Sequence, residues 1–514
     1  MTAGQAGAGG VRRGRTAYPS LAEARALAPG NTLVPISIEI FADRKTPVEA
    51  LRAVSAGGRE AYLLESAPDG DNWGRYTFIG YDPVMEVSAR GGTVTIREGG
   101  ASKERAAAPH AVLKELVSAC KSPRIDGLPP FTGGFVGYFA YDYIRHIEPT
   151  LRLSDADPIG SDDYRLLRFD KVVAFDHLRQ KIFLIVNIAA DKIEQSYAAG
   201  LETLLGMERL VLSAPPPASQ PVPPQGLAAS EFTASFERAA FCAAVEKAKR
   251  YIFEGDIFQC VPSIRFSAAY RGDLLAAYRV LRTTNPSAYM FYLRFSDMEI
   301  AGASPETLVT LKDGIVHTCP IAGTCKRTDD DDETNRLVES LLADEKELAE
   351  HDMLVDLGRN DIGKVSEFGS VRVDEYRSVK RLSHVCHLAS KVSGKVAAAV
   401  DAPDVMAALL PAGTLSGAPK KRACEIIDEL EGARRGVYGG AIGYIDFAGN
   451  MDLCIAIRMA VCKDGIVHVQ AGAGIVADSE PEREYEECVR KAGAMIEALK
   501  QAGAADGVGV EVTL

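Results

Sequence analysis

VQAGAGIVADSEPEREYEECVRKAGAMIEAL, residues 469–499, reads as the end of a strand, a loop of small residues and a helix. Gly472, Ala473 and Gly474 carry too little side chain to keep a ligand carboxylate away from the backbone amides. Ser479 suits a helix cap and Pro481 the first turn, which places a helix over 481–499. Glu484 and Glu487 are three apart and so share one face of it, with Lys491 four residues beyond Glu487. The glycines match neither GxGxxG nor GxxxxGK, and the flanking chain has no βαβ regularity, which disfavours a nucleotide-binding fold. The expected class is α+β: two mainly antiparallel sheets forming a sandwich around a cleft, with helices outside.

The same device occurs upstream. DEKELAEHDMLVDLGRNDIG, residues 344–363, predicts a helix over its first fifteen positions with Gly358 near its end, and sets Glu347 and Glu350 on one face. On a solvated helix either pair would be ordinary surface. Four carboxylates meeting in a cleft would instead repel one another unless a cation held them, and oxygen-only ligands suit magnesium better than zinc. Between the helices stand His387, able to exchange a proton near neutral pH, Thr414 ahead of a Ser-Gly-Ala-Pro turn, and Arg458, which interrupts an apolar strand and needs an anion. Each has a plain structural reading as well: a satisfied core histidine, a helix cap, an internal ion pair.

With 514 residues the chain expects two lobes or one large composite domain. The balance of 70 acidic against 58 basic residues argues against nucleic acid or an anionic membrane as partner. Apolar runs are too short to span a bilayer, and ten cysteines without a CxxC pair indicate neither zinc nor a disulfide framework, which fits a reducing cytoplasm. Residues 1–20 read as a loose tail. Residues 21–212 form an N-terminal region, with helices at Pro47–Val54 and His110–Cys120 and a hairpin over Lys171–Ile188; residues 213–230 form a Pro-rich connector, 231–502 a catalytic region and 503–514 a C-terminal tail. In PFTGGFVGYFAYDYIRHIE, 130–148, the double glycine predicts a strand lying close to another backbone, then a helix. KDGIVH occurs at 312–317 and again at 463–468, so one Asp-Gly turn is expected twice.

GDIFQCVPS at 255–263, AGASPETLV at 301–309, PIAGT at 320–324, ELAEHDMLVDLGRND at 347–361, GTLSGAPK at 413–420, YGGAIGY at 438–444 and QAGAGIVADSEPEREYEE at 470–487 together resemble the chorismate-utilising enzymes, and among them the anthranilate synthase component I family. The resemblance implies that Glu350 and Glu487 ligate Mg2+, supported by Glu347 and Glu484. It implies that Tyr438, Arg458, Lys491 and the amides of Gly472, Ala473 and Gly474 hold substrate, with Gly323 and Thr324 lining the pocket. The implied reaction adds ammonia at C2 of chorismate with loss of the C4 hydroxyl, then eliminates pyruvate to give anthranilate for tryptophan biosynthesis. Glu306 would be the acid at C4, His387 would assist proton removal at C2, and Thr414 would position the enolpyruvyl group. Gln259 stands where water-using relatives carry a basic lysine, and Ala322 where some folate-branch relatives carry a nucleophilic one.

LLES at 63–66, NPSAYMF at 285–291 and Cys454 resemble the family's tryptophan effector site, which implicates Glu65, Ser66, Asn285, Ala288, Tyr289, Met290 and Cys454. Cys325, Thr328 and Ala288 depart from the family pattern without removing a proposed ligand, acid or base. The resemblance also implies a glutamine amidotransferase small subunit as ammonia source, in a heterotetramer, with chorismate, ammonia and L-tryptophan as small-molecule partners.

Overall fold

The computed structural model describes residues 17–66, 74–213, 231–328, 330–381 and 385–502. Two long sheets carry the body. The first runs Leu33–Phe41, Lys181–Ala189, Lys171–Asp176, Tyr76–Tyr81, Ala61–Glu65, Tyr289–Arg294, Met298–Ser304, Met459–Lys463, Ile466–Gly472, Ser263–Ala269 and Thr233–Ala234. The second runs Ile321–Lys326, Val385–Lys395, Ile315–Thr318, Thr307–Lys312, Met451–Ile455, Ala441–Asp446, Gly134–Phe139, Tyr164–Phe169, Met85–Arg90, Thr93–Glu98 and Ala101–Ala106. Pairing is antiparallel, and each sheet takes about half its strands from either side of residues 213–230. The halves join where Met290 pairs with Glu65 in the first sheet and Gly443 with Gly137 in the second. The N-terminal and C-terminal regions are therefore one hydrogen-bonded body.

Three apolar layers follow. Tyr62, Phe169, Phe291, Ile300, Ile442 and Met459, from both sheets, fill the space between them. The first sheet's other face is covered by helices including Ile193–Leu212, Arg238–Phe253, Leu274–Thr284 and Pro481–Ala502, and the second sheet's by Pro109–Ser118, Glu345–Gly363 and Ala402–Leu409. The architecture is α+β, two antiparallel sheets with helices packed around them.

Local signals act as their chemistry requires. A Cβ on Gly134 would lie 2.2 Å from the Ile445 carbonyl oxygen, so the double glycine admits a neighbouring strand. Asp313 and Asp464 both take positive φ before a positive-φ glycine, so the repeated Asp-Gly turn closes one hairpin in each sheet. The hairpin over Lys171–Ile188 forms from Lys171–Asp176 and Lys181–Ala189. Gly358 does not end its helix, which continues to Gly363; a Cβ there would lie 3.0 Å from Thr318 Cγ2, so the glycine lets the helix press on the sheet. The expected first fifteen helical positions thus become nineteen residues.

Residues 17–20 are ordered parts of the body: Tyr18 bridges Ser37, and Ser20 caps the helix Leu21–Leu27. The rest of the expected N-terminal tail, residues 214–230 of the connector and the C-terminal tail from 503 lie outside the described residues. No helix of the described residues is long and apolar enough to cross a membrane, and the ten cysteines are free thiols.

Candidate active site

Twice in adjacent positions the chain crosses from one sheet to the other. Met298–Ser304 belongs to the first sheet and Thr307–Lys312 to the second, with Glu306 in the crossing; Met451–Ile455 belongs to the second and Met459–Lys463 to the first, with Arg458 in the crossing. The crossings are stitched together, Ile455 N–H donating to the Glu306 carbonyl at 3.0 Å and Ala303 N–H to the Arg458 carbonyl at 3.1 Å. Arg458 therefore lies between strands rather than within one as expected, and its φ of 52° turns it out of the ladder. Its guanidinium is exposed towards a cavity of about 340 Å3.

Gln259, Glu306, Glu347, Glu350, Thr414, Tyr438, Arg458, Gly472, Gly474, Glu484, Glu487 and Lys491 all line this cavity. Glu347 and Glu350 come from the helix Glu345–Gly363, whose first amides are capped by Asp344, and Glu484 and Glu487 from the helix Pro481–Ala502. The Ser479 hydroxyl accepts from Val476 N–H at 3.1 Å, bracing the loop before the helix. Lys491 Nζ lies 2.6 Å from Glu487 Oε1 and donates to the Gly472 carbonyl at 3.1 Å, tying helix to loop.

Electrostatics distinguish the two ends. Burial raises the pKa of Glu350, and Glu347 and Glu487 add like-charge repulsion; Glu484 is raised first by burial and further by Glu487. A divalent cation would relieve that repulsion. Among the described residues no three His, Cys, Asp or Glu side chains close a metal cage. Magnesium is commonly held by one or two carboxylates and completed by substrate and water, and so needs no such cage. At the other end, burial raises the pKa of Glu306 against a 3.0 Å hydrogen bond from the Thr414 hydroxyl and the fields of Lys491 and Arg458. Such a carboxyl holds its proton to higher pH than usual and can act as an acid.

Two glycines are needed for close approach. A Cβ on Gly474 would stand 2.6 Å from Gln259 Nε2, and one on Gly472 would stand 3.1 Å from the Tyr438 hydroxyl and 2.8 Å from the Pro262 carbonyl oxygen. Ala473 departs from expectation: it is fully buried and donates its amide to Pro262 at 3.2 Å, so that amide is not free for a ligand. Gly323, Thr324 and His387 do not line the cavity, although a Cβ on Gly323 would stand 3.3 Å from Glu347 Oε2, which does. Thr324 Oγ1 lies 2.9 Å from His387 Nδ1, on paired positions of strands Ile321–Lys326 and Val385–Lys395. Burial lowers the His387 pKa, and Arg458 lowers it further, leaving a neutral imidazole able to accept a proton.

The structure adds residues that motif reading missed. Arg435 is buried and paired with Glu431, and donates to the Leu415 carbonyl at 2.7 Å and the Val261 carbonyl at 2.5 Å, so one guanidinium clamps two segments of the cavity wall. Its i,i+4 spacing from Glu431 was the available signal. Gln470 and Lys346 also line the cavity. Gln259 Oε1 and Gln470 Oε1 are buried and accept no hydrogen bond from the described residues.

The proposed effector residues fall on both faces of the first sheet: Tyr289 and Cys454 belong to the layer between the sheets, whereas Met290 and the partners of Glu65 belong to the helix-covered face. The Tyr289 hydroxyl donates to Asp452 at 2.9 Å and contacts Thr307 at 3.0 Å, crossing to the sheet that carries Cys454. Met290 pairs with Glu65, whose carboxylate receives Arg282 at 2.6 Å and Tyr278 at 2.5 Å. Ser66 accepts from Gly74 N–H at 2.6 Å. Asn285 caps the helix Leu274–Thr284 at the exposed end, and Ala288 is half-buried just before the strand.

A family model described as chorismate binding enzyme matches residues 59–497. Anthranilate synthase component 1 of Acetivibrio thermocellus is 44% identical over 95% of this chain and 99% of its own length, and that of Pseudomonas aeruginosa is 44% identical over 92% and 97%. The crystal structure of anthranilate synthase component I from Streptococcus pneumoniae superposes with a TM-score of 0.74 at 38% identity, covering 89% of this chain and 99% of that one. MenF, the menaquinone-specific isochorismate synthase of Escherichia coli, shares the fold at 19% identity and a TM-score of 0.67.

Proposed function

The chain belongs to the chorismate-binding enzymes and, within them, to the anthranilate synthase component 1 family, and from that premise we propose that it aminates chorismate with ammonia and then eliminates pyruvate to give anthranilate. The observation that carries this reading is the pairing of a proton-holding acid, Glu306, with an amide, Gln259, on the wall of one cavity. A glutamine cannot deprotonate water, but ammonia is already nucleophilic and needs only to be held, and Gln259 lines the cavity with an amide rather than a base.

Glu350 and Glu487 would hold Mg2+, with Glu347 and Glu484 beside them; the ion, when bound, would neutralise these carboxylates and fix the ring carboxylate of chorismate. Arg458 and the Tyr438 hydroxyl bind the second carboxylate, with Gly472 leaving room for that hydroxyl beside the loop. Glu306 delivers its proton to the departing C4 oxygen, oriented by Thr414. His387 takes the C2 proton during pyruvate elimination; because it does not line the cavity, it acts through a water or after a local shift. Ala322 lines the cavity where some folate-branch relatives place a nucleophilic lysine, so it offers no amine for covalent attack at C2. A glutamine amidotransferase subunit would supply ammonia, with the two chains in a heterotetramer, and L-tryptophan would act at the Tyr289 and Glu65 region as feedback inhibitor.

Purified chain mixed with chorismate, magnesium and ammonium should produce anthranilate and pyruvate, read by fluorescence and mass spectrometry, and tryptophan should suppress both. Accumulation of 4-amino-4-deoxychorismate would assign the chain to the folate branch instead.

A further inference from the structure

Glu306 faces two spaces. Besides the substrate cavity it lines a smaller chamber of about 50 Å3, with Thr414, Ile321 and Leu354 common to both. The chamber continues away from the substrate between the helix Glu345–Gly363 and the segment 409–414, with Thr318 and Cys319 on its sheet side. Gln259 lines only the large cavity, so the chamber serves the acid's end and not the nucleophile's. Leu357, Gly358 and Cys319 are half-buried, which opens the chamber towards solvent.

Its size and walls suit water. A site needs roughly 10–15 Å3 of such volume per water molecule and several polar partners, so the chamber takes a few. Partners are present at both ends: the Thr414 hydroxyl and Glu306 carboxyl on one side, and on the other the buried Asp361 carboxylate, held by Lys420 Nζ at 2.8 Å and Lys364 Nζ at 2.9 Å.

We propose that this chamber is the leaving-group exit and the proton-return path of the amination step, taking up the water formed from the C4 hydroxyl and connecting Glu306 to solvent between turnovers. The proposal rests on the reading of the site given above. In that step the C4–O bond breaks as the Glu306 proton passes to the departing oxygen, ammonia's lone pair forms the C2–N bond, and the ring double bonds shift between the two carbons. The products are water, a protonated C2 amine and a Glu306 carboxylate. The amine then sheds one proton, and the chamber returns one to Glu306, so the cycle closes without another reactant. Pyruvate elimination releases no water from C4 and makes no demand on the chamber.

That asymmetry supplies the test. Gly358→Ala and, separately, Ala412→Val add methyl groups at the chamber wall; alanine at 358 is also the stronger helix former, and its Cβ meets Thr318 Cγ2 at 3.0 Å. Each variant is assayed with chorismate plus ammonium, and with aminodeoxyisochorismate as the starting compound. The expected result is that kcat from chorismate falls about tenfold with KM for chorismate within about twofold, while conversion of aminodeoxyisochorismate to anthranilate is unchanged. Unaltered turnover from chorismate in both variants overturns the proposal, as does an equal loss in both half-reactions, which would make the chamber wall a support for the whole cavity. Failure of the unaltered chain to aminate chorismate would instead overturn the underlying reading of the site.

Discussion

The substrate cavity and the proposed effector residues around Tyr289 and Glu65 dispose their polar groups in opposite ways. In the cavity, four carboxylates crowd one end, Arg458 is exposed, and two glutamine carbonyls accept nothing from the described residues. Around Tyr289 the hydroxyl is bound to Asp452 and Thr307, and Glu65 is held by Arg282, Tyr278 and Thr77. Uncompensated polar groups are costly inside a protein unless a ligand completes them. The cavity is therefore a place that binding completes, whereas a ligand at Tyr289 must exchange existing bonds for new ones. A site of that second kind can be biased between two arrangements, as an effector requires.

The contrast is broken most severely at Glu306. Glu306→Gln keeps shape but removes the acid, so kcat for anthranilate formation should fall by about 10²–10⁴ with KM little changed; a kcat near the unaltered value would remove Glu306 from the chemistry. Burial holds this carboxyl protonated above the ordinary carboxylate range. At fixed free ammonia, activity should therefore be present below its raised pKa and decline as pH rises through it, and that limb should be absent from the residual activity of the variant.

Next in size is the carboxylate end. Glu347→Gln relieves repulsion on Glu350 but withdraws a supporting group, so the magnesium needed for half-maximal rate should rise about 10–100-fold, and chelation of the metal should abolish activity in both forms. An unchanged magnesium requirement would make Glu347 a solvated side chain with no part in holding the metal.

Smaller effects belong to the closed cluster. Tyr289→Phe leaves the buried Asp452 carboxyl without its hydroxyl partner, which should cost about 1–3 kcal/mol of stability in urea titration while kcat persists. Tryptophan at about a hundredfold excess over its Kd should stabilise the unaltered chain by about 2.7 kcal/mol, a gain that Met290→Thr should diminish. Equal stabilisation of both would place the effector elsewhere.

Much of the carboxylate end was legible because it is local. Glu347 with Glu350, and Glu484 with Glu487, follow from three-residue spacing on helices whose starts are marked by Asp344 and Pro481, and the twin Asp-Gly turns follow from backbone preference alone. At the acid end Glu306 was legible only through family resemblance, since AGASPETLV shows merely a lapse of strand alternation there, whereas Arg458 already stood out as a charge in an apolar strand. Arg435 was missed because its two carbonyl partners, on Val261 and Leu415, are 174 and 20 residues away. Ala473 was misread because a loop's glycines advertise open amides, while whether an amide is already spent depends on the neighbouring Pro262.

By itself the sequence determined the periodic and nearest-neighbour features: which carboxylates share a helix face, where turns reverse, and that an amide rather than an amine stands at position 259. Only the tertiary structure decided that both halves of the chain build both sheets, that two crossings meet at Glu306 and Arg458, and that a chamber lies behind the acid. Helix faces and turns are set by geometry within a few residues, whereas burial, like-charge crowding and the shape of a cavity arise from segments far apart in the chain, and those are the quantities that turn a glutamate into an acid.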